Sequence, residues 1–93
     1  MEENSDEVEI LADVLLKLDE MKVKYPEWPS NPLYAASMIG KEYSQLIADV
    51  LCLVLKSDYS KISDVKENAI QTAAVCLRFL LNINSYQFDQ NQC

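Results

Sequence analysis

The chain has 93 residues, 15 acidic side chains against 8 basic ones, a formal charge of −7 and no histidine. A chain of this length forms one domain, and the missing histidine excludes Ser-His-Asp and Cys-His catalysis together with His-ligated zinc. The single glycine excludes phosphate cradles of the P-loop or Rossmann kind, and the negative charge disfavours nucleic acid and anionic membrane as partners, which leaves carboxylates as the only candidate catalysts.

Apolar residues at Val8, Leu11, Leu15, Leu18 and Met21, broadened by Ile10 and Val14, have helical spacing. Asn4, Ser5 and Asp6 offer N-caps, and Lys22 and Lys24 lie where positive charge suits a helix C-terminus. Pro26 restricts the residue before it, so this helix is predicted to stop at Tyr25. Residues 25–32, Tyr-Pro-Glu-Trp-Pro-Ser-Asn-Pro, hold every proline and the only tryptophan. They read as a rigid interhelical connection with Trp28 pinned against the bundle; a lid over a ligand site is the sharper alternative.

A second helix is predicted over 33–56, with Ile39, Tyr43, Leu46, Ile47, Val50, Leu53 and Val54 on its apolar face. Gly40 inside it costs about 1 kcal/mol relative to alanine, which points to close packing there. After a polar break at 56–60, a third helix is predicted from about residues 61–64 to Leu81. It places Ile62, Val65, Ala69, Ala73, Cys76 and Leu80 on one side, with Ile70, Leu77 and Leu81 beside them. Asp64 with Glu67 resembles a capping pair. Residues 83–93 are amide-rich and without a period, and are predicted to be a flexible tail behind a single domain over 1–82. No strand pattern rises anywhere, so the predicted fold is all-α.

Cys52, Cys76 and Cys93 show no CxxC spacing, and the first two, inside apolar helical runs, read as small hydrophobes in a reduced protein. The longest apolar stretch, residues 46–55, is interrupted by Asp49 and too short for a bilayer. The acidic N-terminus lacks the basic region of a signal peptide, so a cytoplasmic location is expected.

Glu42, Gln45, Asp49 and Cys52 share one face of the second helix. Glu67, Asn68, Gln71 and Thr72 occupy the first two turns of the third, and antiparallel packing sets such groups opposite Glu42 and Gln45. Carboxylates paired in this way across two helices form magnesium sites, because a hard cation needs several anionic oxygens held rigidly.

Residues 25–29, Tyr-Pro-Glu-Trp-Pro, followed by Ala35-Ala-Ser-Met-Ile-Gly-Lys-Glu-Tyr-Ser-Gln-Leu46, resemble the small MazG-like proteins of bacteria and their phages. Those read His-Pro-x-Trp-Pro, an Ala-rich turn, then Glu-Glu-x-Gly-Glu-Leu. The run Val65-Lys-Glu-Asn-Ala-Ile-Gln-Thr-Ala-Ala-Val-Cys-Leu-Arg-Phe-Leu80 looks like the family's second motif, so the resemblance extends over roughly residues 8 to 82. It implies a helical bundle of about three main helices per chain, completed by dimerisation. It also implies a nucleoside triphosphate pyrophosphohydrolase, in which carboxylates hold Mg2+ that polarises the triphosphate and activates water. A nucleoside monophosphate and pyrophosphate are released.

Mapped onto that pattern, Lys41 stands at the first glutamate of the pair and Glu42 keeps the second. Ser44 replaces the glycine, Gln45 the glutamate after it, Asn68 the glutamate of the second motif and Gln71 its aspartate. Of the four ligand positions, Glu42, Gln45, Asn68 and Gln71, Glu42 alone keeps its carboxylate, and neutral amides bind magnesium far less well than carboxylates. Glu42, Asp49 and Glu67 form a substitute ligand set, but a hydrogen-bonded polar seam of Glu42, Gln45, Asn68 and Gln71 is the preferred reading. Lys41 and the sole arginine, Arg78, are candidate phosphate contacts, with a structural role preferred for Arg78.

The expected function is therefore a nucleotide-binding or regulatory module with a weakened Mg2+ site. An active pyrophosphohydrolase using the substitute carboxylates and a non-catalytic interaction scaffold are the alternatives. So many apolar residues on three helices exceed the needs of one small core, and a homodimer is predicted.

Overall fold

Asn31 opens the second helix: its side-chain oxygen accepts the Tyr34 N–H at 3.0 Å, and Pro32 follows at the first helical position, where no donor is missed. In a computed structural model, which describes residues 2–88 and side chains from residue 6 onward, this helix is the middle of three. They are α1 (Glu2–Lys24), α2 (Pro32–Leu55) and α3 (Ile62–Leu81), with a 3-10 turn over Tyr59–Lys61 before α3. No strand forms among the described residues, and no helix among them is long and apolar enough to cross a membrane.

The helix ends depart from expectation in two places. α1 begins at Glu2, ahead of the caps predicted at Asn4, Ser5 and Asp6. At the start of α3, Lys61 is the N-cap residue and makes no side-chain cap bond. The predicted Asp64–Glu67 capping pair does not form, because Asp64 pairs with Lys61 at 3.7 Å and Glu67 with Lys17 at 3.1 Å. The capping is done earlier, by Asp58, whose carboxylate accepts the Ser60 N–H at 3.2 Å and the Ser60 hydroxyl. The Ser60 hydroxyl bond holds the Asp58 carboxyl below its ordinary value. This cap therefore stabilises the turn at neutral pH and is lost as pH falls through the lowered pKa.

Between α2 and that turn, Ser57 takes φ 50°, the left-handed region that disfavours a Cβ. Ser57 is exposed and the side chain is not needed for packing. Ser57→Gly is therefore expected to raise stability by about 0.5–1 kcal/mol in denaturant titrations.

α3 is the keel of the fold. α2 runs antiparallel to it, since Gln71 bonds Glu42 while Asn68 bonds Asp49. α1 runs parallel to it, since Glu67 meets Lys17 while Arg78 reaches Met21 and Tyr25. Among the described residues the backbones of α1 and α2 do not approach each other closely, and each packs on α3. The central cluster is Val14, Leu18 and Ala74, with Met21, Ile70, Ala73 and Leu77 packed against it.

This arrangement buries a narrower stripe than the apolar periodicity suggested. Val8, Leu11 and Leu15 of the predicted α1 stripe are more than half exposed, while Val14 and Leu18 are buried. Tyr43, Ile47 and Val54 of the predicted α2 face are exposed as well. Gly40 has no neighbour within 4 Å of where a Cβ would stand, so the close packing expected there is absent within the chain. The radius of gyration, 15.9 Å, exceeds the roughly 12 Å of a compact domain of this length. One chain is an open layer of helices rather than a closed bundle.

The tail predicted from residue 83 is anchored in its first part. Tyr86 is buried, and the Gln87 N–H donates to the Ser30 carbonyl at 2.9 Å. The reason is a single aromatic residue with a hydroxyl to place, which no periodicity reveals. Residues 89–93, including Cys93, lie outside the described residues. Cys52 and Cys76 are half-buried free thiols.

Candidate functional site

α1 and α2 both pack on α3, and a cleft of about 600 Å3 opens between them, closed at one end by the loop that joins them. The acidic positions of the motifs all sit on its wall: Lys41, Glu42 and Gln45 from α2, Asn68 and Gln71 from α3. α1 contributes Lys17, Glu20, Met21 and Lys24, and the loop contributes Tyr25, Glu27 and Trp28. Four cations, counting Arg78, face three carboxylates in this lining. The cleft is thus locally positive by one charge in a chain that totals −7.

Across the α2–α3 seam the polar groups pair carboxylate with amide. Gln71 Nε2 donates to Glu42 Oε2 at 2.9 Å, and Asn68 Nδ2 donates to Asp49 Oδ2 in a short contact. Asp49 is buried, 8% exposed, and stands behind the cleft wall rather than on it. Its partner cannot be traded for an apolar residue without leaving a desolvated carboxylate. Thr72 bonds back to the Asn68 carbonyl at 2.7 Å, which its own helix supplies.

The substitute carboxylates are dispersed. Glu42 opens on the cleft, Asp49 lies beneath it, and Glu67 turns to the α1 side, where it pairs with Lys17. Its hydrogen bond, then that of Glu20, raises the Lys17 pKa and keeps this ammonium charged. Among the described residues no group of three or more cysteines, aspartates and glutamates stands close enough to hold a metal ion.

Arg78 is 6% exposed and its guanidinium closes the α1 end of the cleft. Nη2 donates to the Tyr25 carbonyl at 2.7 Å and Nη1 to the Met21 carbonyl at 3.4 Å. The Tyr25 carbonyl lies past the end of α1 without a helical partner, while the Met21 carbonyl also accepts the Tyr25 N–H at 2.8 Å. The guanidinium also lies 5.0 Å from the Trp28 ring centre, a cation–π distance. Two of its nitrogens are thus engaged with backbone, on the same side chain proposed from sequence as a phosphate contact.

Trp28 is fixed from its other edge. Its Nε1–H donates to the Tyr86 hydroxyl at 2.9 Å, and that hydroxyl donates to the Phe79 carbonyl at 3.0 Å. The Phe79 and Tyr86 rings pack with centres 5.0 Å apart. The loop between α1 and α2, with Pro26 and Pro29, is therefore held rigidly, as the first of its two sequence readings expected. Tyr86, Lys17 and Lys24 were not legible as site residues. Tyr86 sits in an aperiodic segment, and the lysines look like ordinary members of a solvated helix face.

No family model, curated protein or solved structure matches the chain.

Proposed function

We propose that this chain is a MazG-like helical module that binds a nucleotide in the α1–α3–α2 cleft without metal-dependent hydrolysis. The observation that carries this reading is the pairing of amide with carboxylate along the cleft seam. Glu42 and Asp49 each accept a neutral amide donor on one carboxylate oxygen, so a divalent cation bound by both oxygens of either would have to displace that donor. What remains directed into the cleft suits an anion attached to a flat, apolar ring. Lys24 and Lys41 supply positive charge, while Trp28 and Met38 supply apolar and aromatic surface. Arg78 adds fixed charge at the same end.

The test is calorimetric titration with a panel of canonical and modified nucleoside triphosphates, with Mg2+ and with EDTA. Pyrophosphate release is followed in parallel. Binding of at least one nucleotide is expected, with an affinity that EDTA leaves unchanged, and no pyrophosphate is expected. Pyrophosphate release that Glu42→Ala abolishes would establish the active enzyme instead. Absence of heat with every nucleotide would reduce the chain to an interaction scaffold.

A further inference from the structure

The charges that line the cleft are sorted along its length. At the end closed by the loop, Arg78 Nη2 donates to the Tyr25 carbonyl, and the Lys24 ammonium lies 5.5 Å from the centre of the Tyr25 ring. Two cations thus flank one residue. Lys41 enters from α2, one residue nearer the loop than Glu42. Among the described residues neither Lys24 nor Lys41 has a carboxylate within 4.0 Å. Glu27 is the acid that the loop contributes to this lining, and the C-terminus of α1 adds roughly half a negative charge. Set against these, the three cations leave an excess of about 1.5 positive charges at the loop end.

Away from the loop the balance reverses. Glu20 and Lys17 lie one and two turns back along α1 from Lys24, and Lys17 is held by Glu67 at 3.1 Å and by Glu20 at 3.3 Å. Gln71, two turns back along α3 from Arg78, donates to Glu42. Glu20 and Glu42 therefore outnumber the one lining cation there, and that cation is already matched. The other polar groups of this stretch, Gln45, Asn68 and Gln71, are neutral amides.

We infer that the cleft selects a nucleoside monophosphate over the corresponding triphosphate and binds it without metal, its phosphate held at the loop end by Lys24 and Lys41. This assignment rests on the nucleotide reading of the cleft and specifies the ligand. A phosphate monoester carries about −1.5 to −2 at pH 7, which the excess at the loop end matches. A second and third phosphate would lie along the cleft towards Glu42 and Glu20, or outside it, and neither place holds a cation without a carboxylate partner. The nucleoside part has its surface at the same end. Trp28 is half-buried and lines the cleft, and its Nε1–H is taken by Tyr86, so the ring offers stacking and no donor. Met38 adds apolar contact from α2. A triphosphate uses the same contacts, but carries more charge than two lysines balance.

Calorimetric titration of the full chain in EDTA makes the comparison, with the common nucleoside monophosphates, their triphosphates, the bare nucleosides and inorganic phosphate as probes. At least one monophosphate should bind about 10-fold or more tightly than its triphosphate, its nucleoside and inorganic phosphate. Replacing both lysines, Lys24→Gln with Lys41→Gln, should weaken that monophosphate about 10-fold or more and leave the melt of the free protein unchanged, since both side chains are exposed. Lys66→Gln, exposed on α3 outside the cleft, should change neither. A triphosphate that binds as tightly as its monophosphate overturns the inference and leaves the nucleotide reading standing. Inorganic phosphate as tight as the monophosphate reduces the cleft to an anion site and overturns it too, as does full affinity in the double variant. Silence with every nucleotide removes both readings. Should the double variant fail to fold, the comparison of probes on the wild type decides alone.

Discussion

Arg78→Met is expected to lower stability by about 3 kcal/mol, a fall of roughly 10–20 °C in Tm for a domain of this size. Methionine keeps most of the apolar stem and removes the donors, so the loss isolates what the guanidinium does. The Tyr25 carbonyl loses its partner, the Met21 carbonyl keeps only the Tyr25 N–H, and Trp28 loses the cation over its ring. Charge-assisted bonds of this kind contribute roughly twice a neutral one. The guanidinium has no carboxylate bonded to it among the described residues; the negative end of the α1 dipole takes that place. Arg78→Lys should recover part of the loss, since an ammonium can donate to one carbonyl but lacks the planar stacking surface. Thermal melts of the three proteins at a single concentration make the comparison. An unchanged melt for Arg78→Met would falsify the structural role and return the residue to the cleft as a ligand contact alone.

Tyr86→Ala should cost about as much, roughly 3 kcal/mol, although it lies in a segment that reads as a dispensable tail. The substitution removes a buried ring packed on Phe79 and the hydroxyl that links the Trp28 indole to the Phe79 carbonyl. Tyr86→Phe keeps the ring and should cost about 1–2 kcal/mol, because the indole N–H is then left unpaired and the Phe79 carbonyl keeps only the Asn82 N–H at 3.3 Å. Trp28 is the only tryptophan, so its fluorescence reports the change directly. A red-shifted emission is expected for Tyr86→Ala, as the loop over residues 25–31 loosens and water reaches the indole. Emission and stability both equal to wild type would show that the C-terminal segment does not hold the loop.

The two residues illustrate different limits of sequence reading. Arg78 was visible as an anomaly, one arginine in an apolar helix, and a structural role was the preferred reading. Its partner was out of sight because backbone carbonyls carry no sequence signal and become acceptors only where a helix ends nearby. Tyr86 gave no signal, because an aromatic anchor in an aperiodic segment has no spacing to betray it. The polar seam was better placed: Glu42 and Gln71 meet as the antiparallel reading required. Asn68, however, pairs with Asp49 rather than facing the cleft carboxylate, and Gln45 lines the cleft without a recorded bond. Glu67 was grouped with its neighbours on α3 but turns about one residue's rotation away, roughly 100°, which is enough to hand it to α1.

By itself the sequence determined that the chain is helical, with breaks at the proline loop and at residues 56–60. Those properties reside in local chemistry: apolar period, proline geometry, the Asn31 cap. It also determined which catalytic classes lacked their residues. Tertiary structure decided which side of each apolar helix is buried, because α2 is apolar on two sides and periodicity cannot rank them. α3 took the side bearing Ala35, Glu42 and Asp49, where a small residue admits the helix and amides satisfy the carboxylates. That choice opened the cleft against α1 and left the uncharged face of α2 outward.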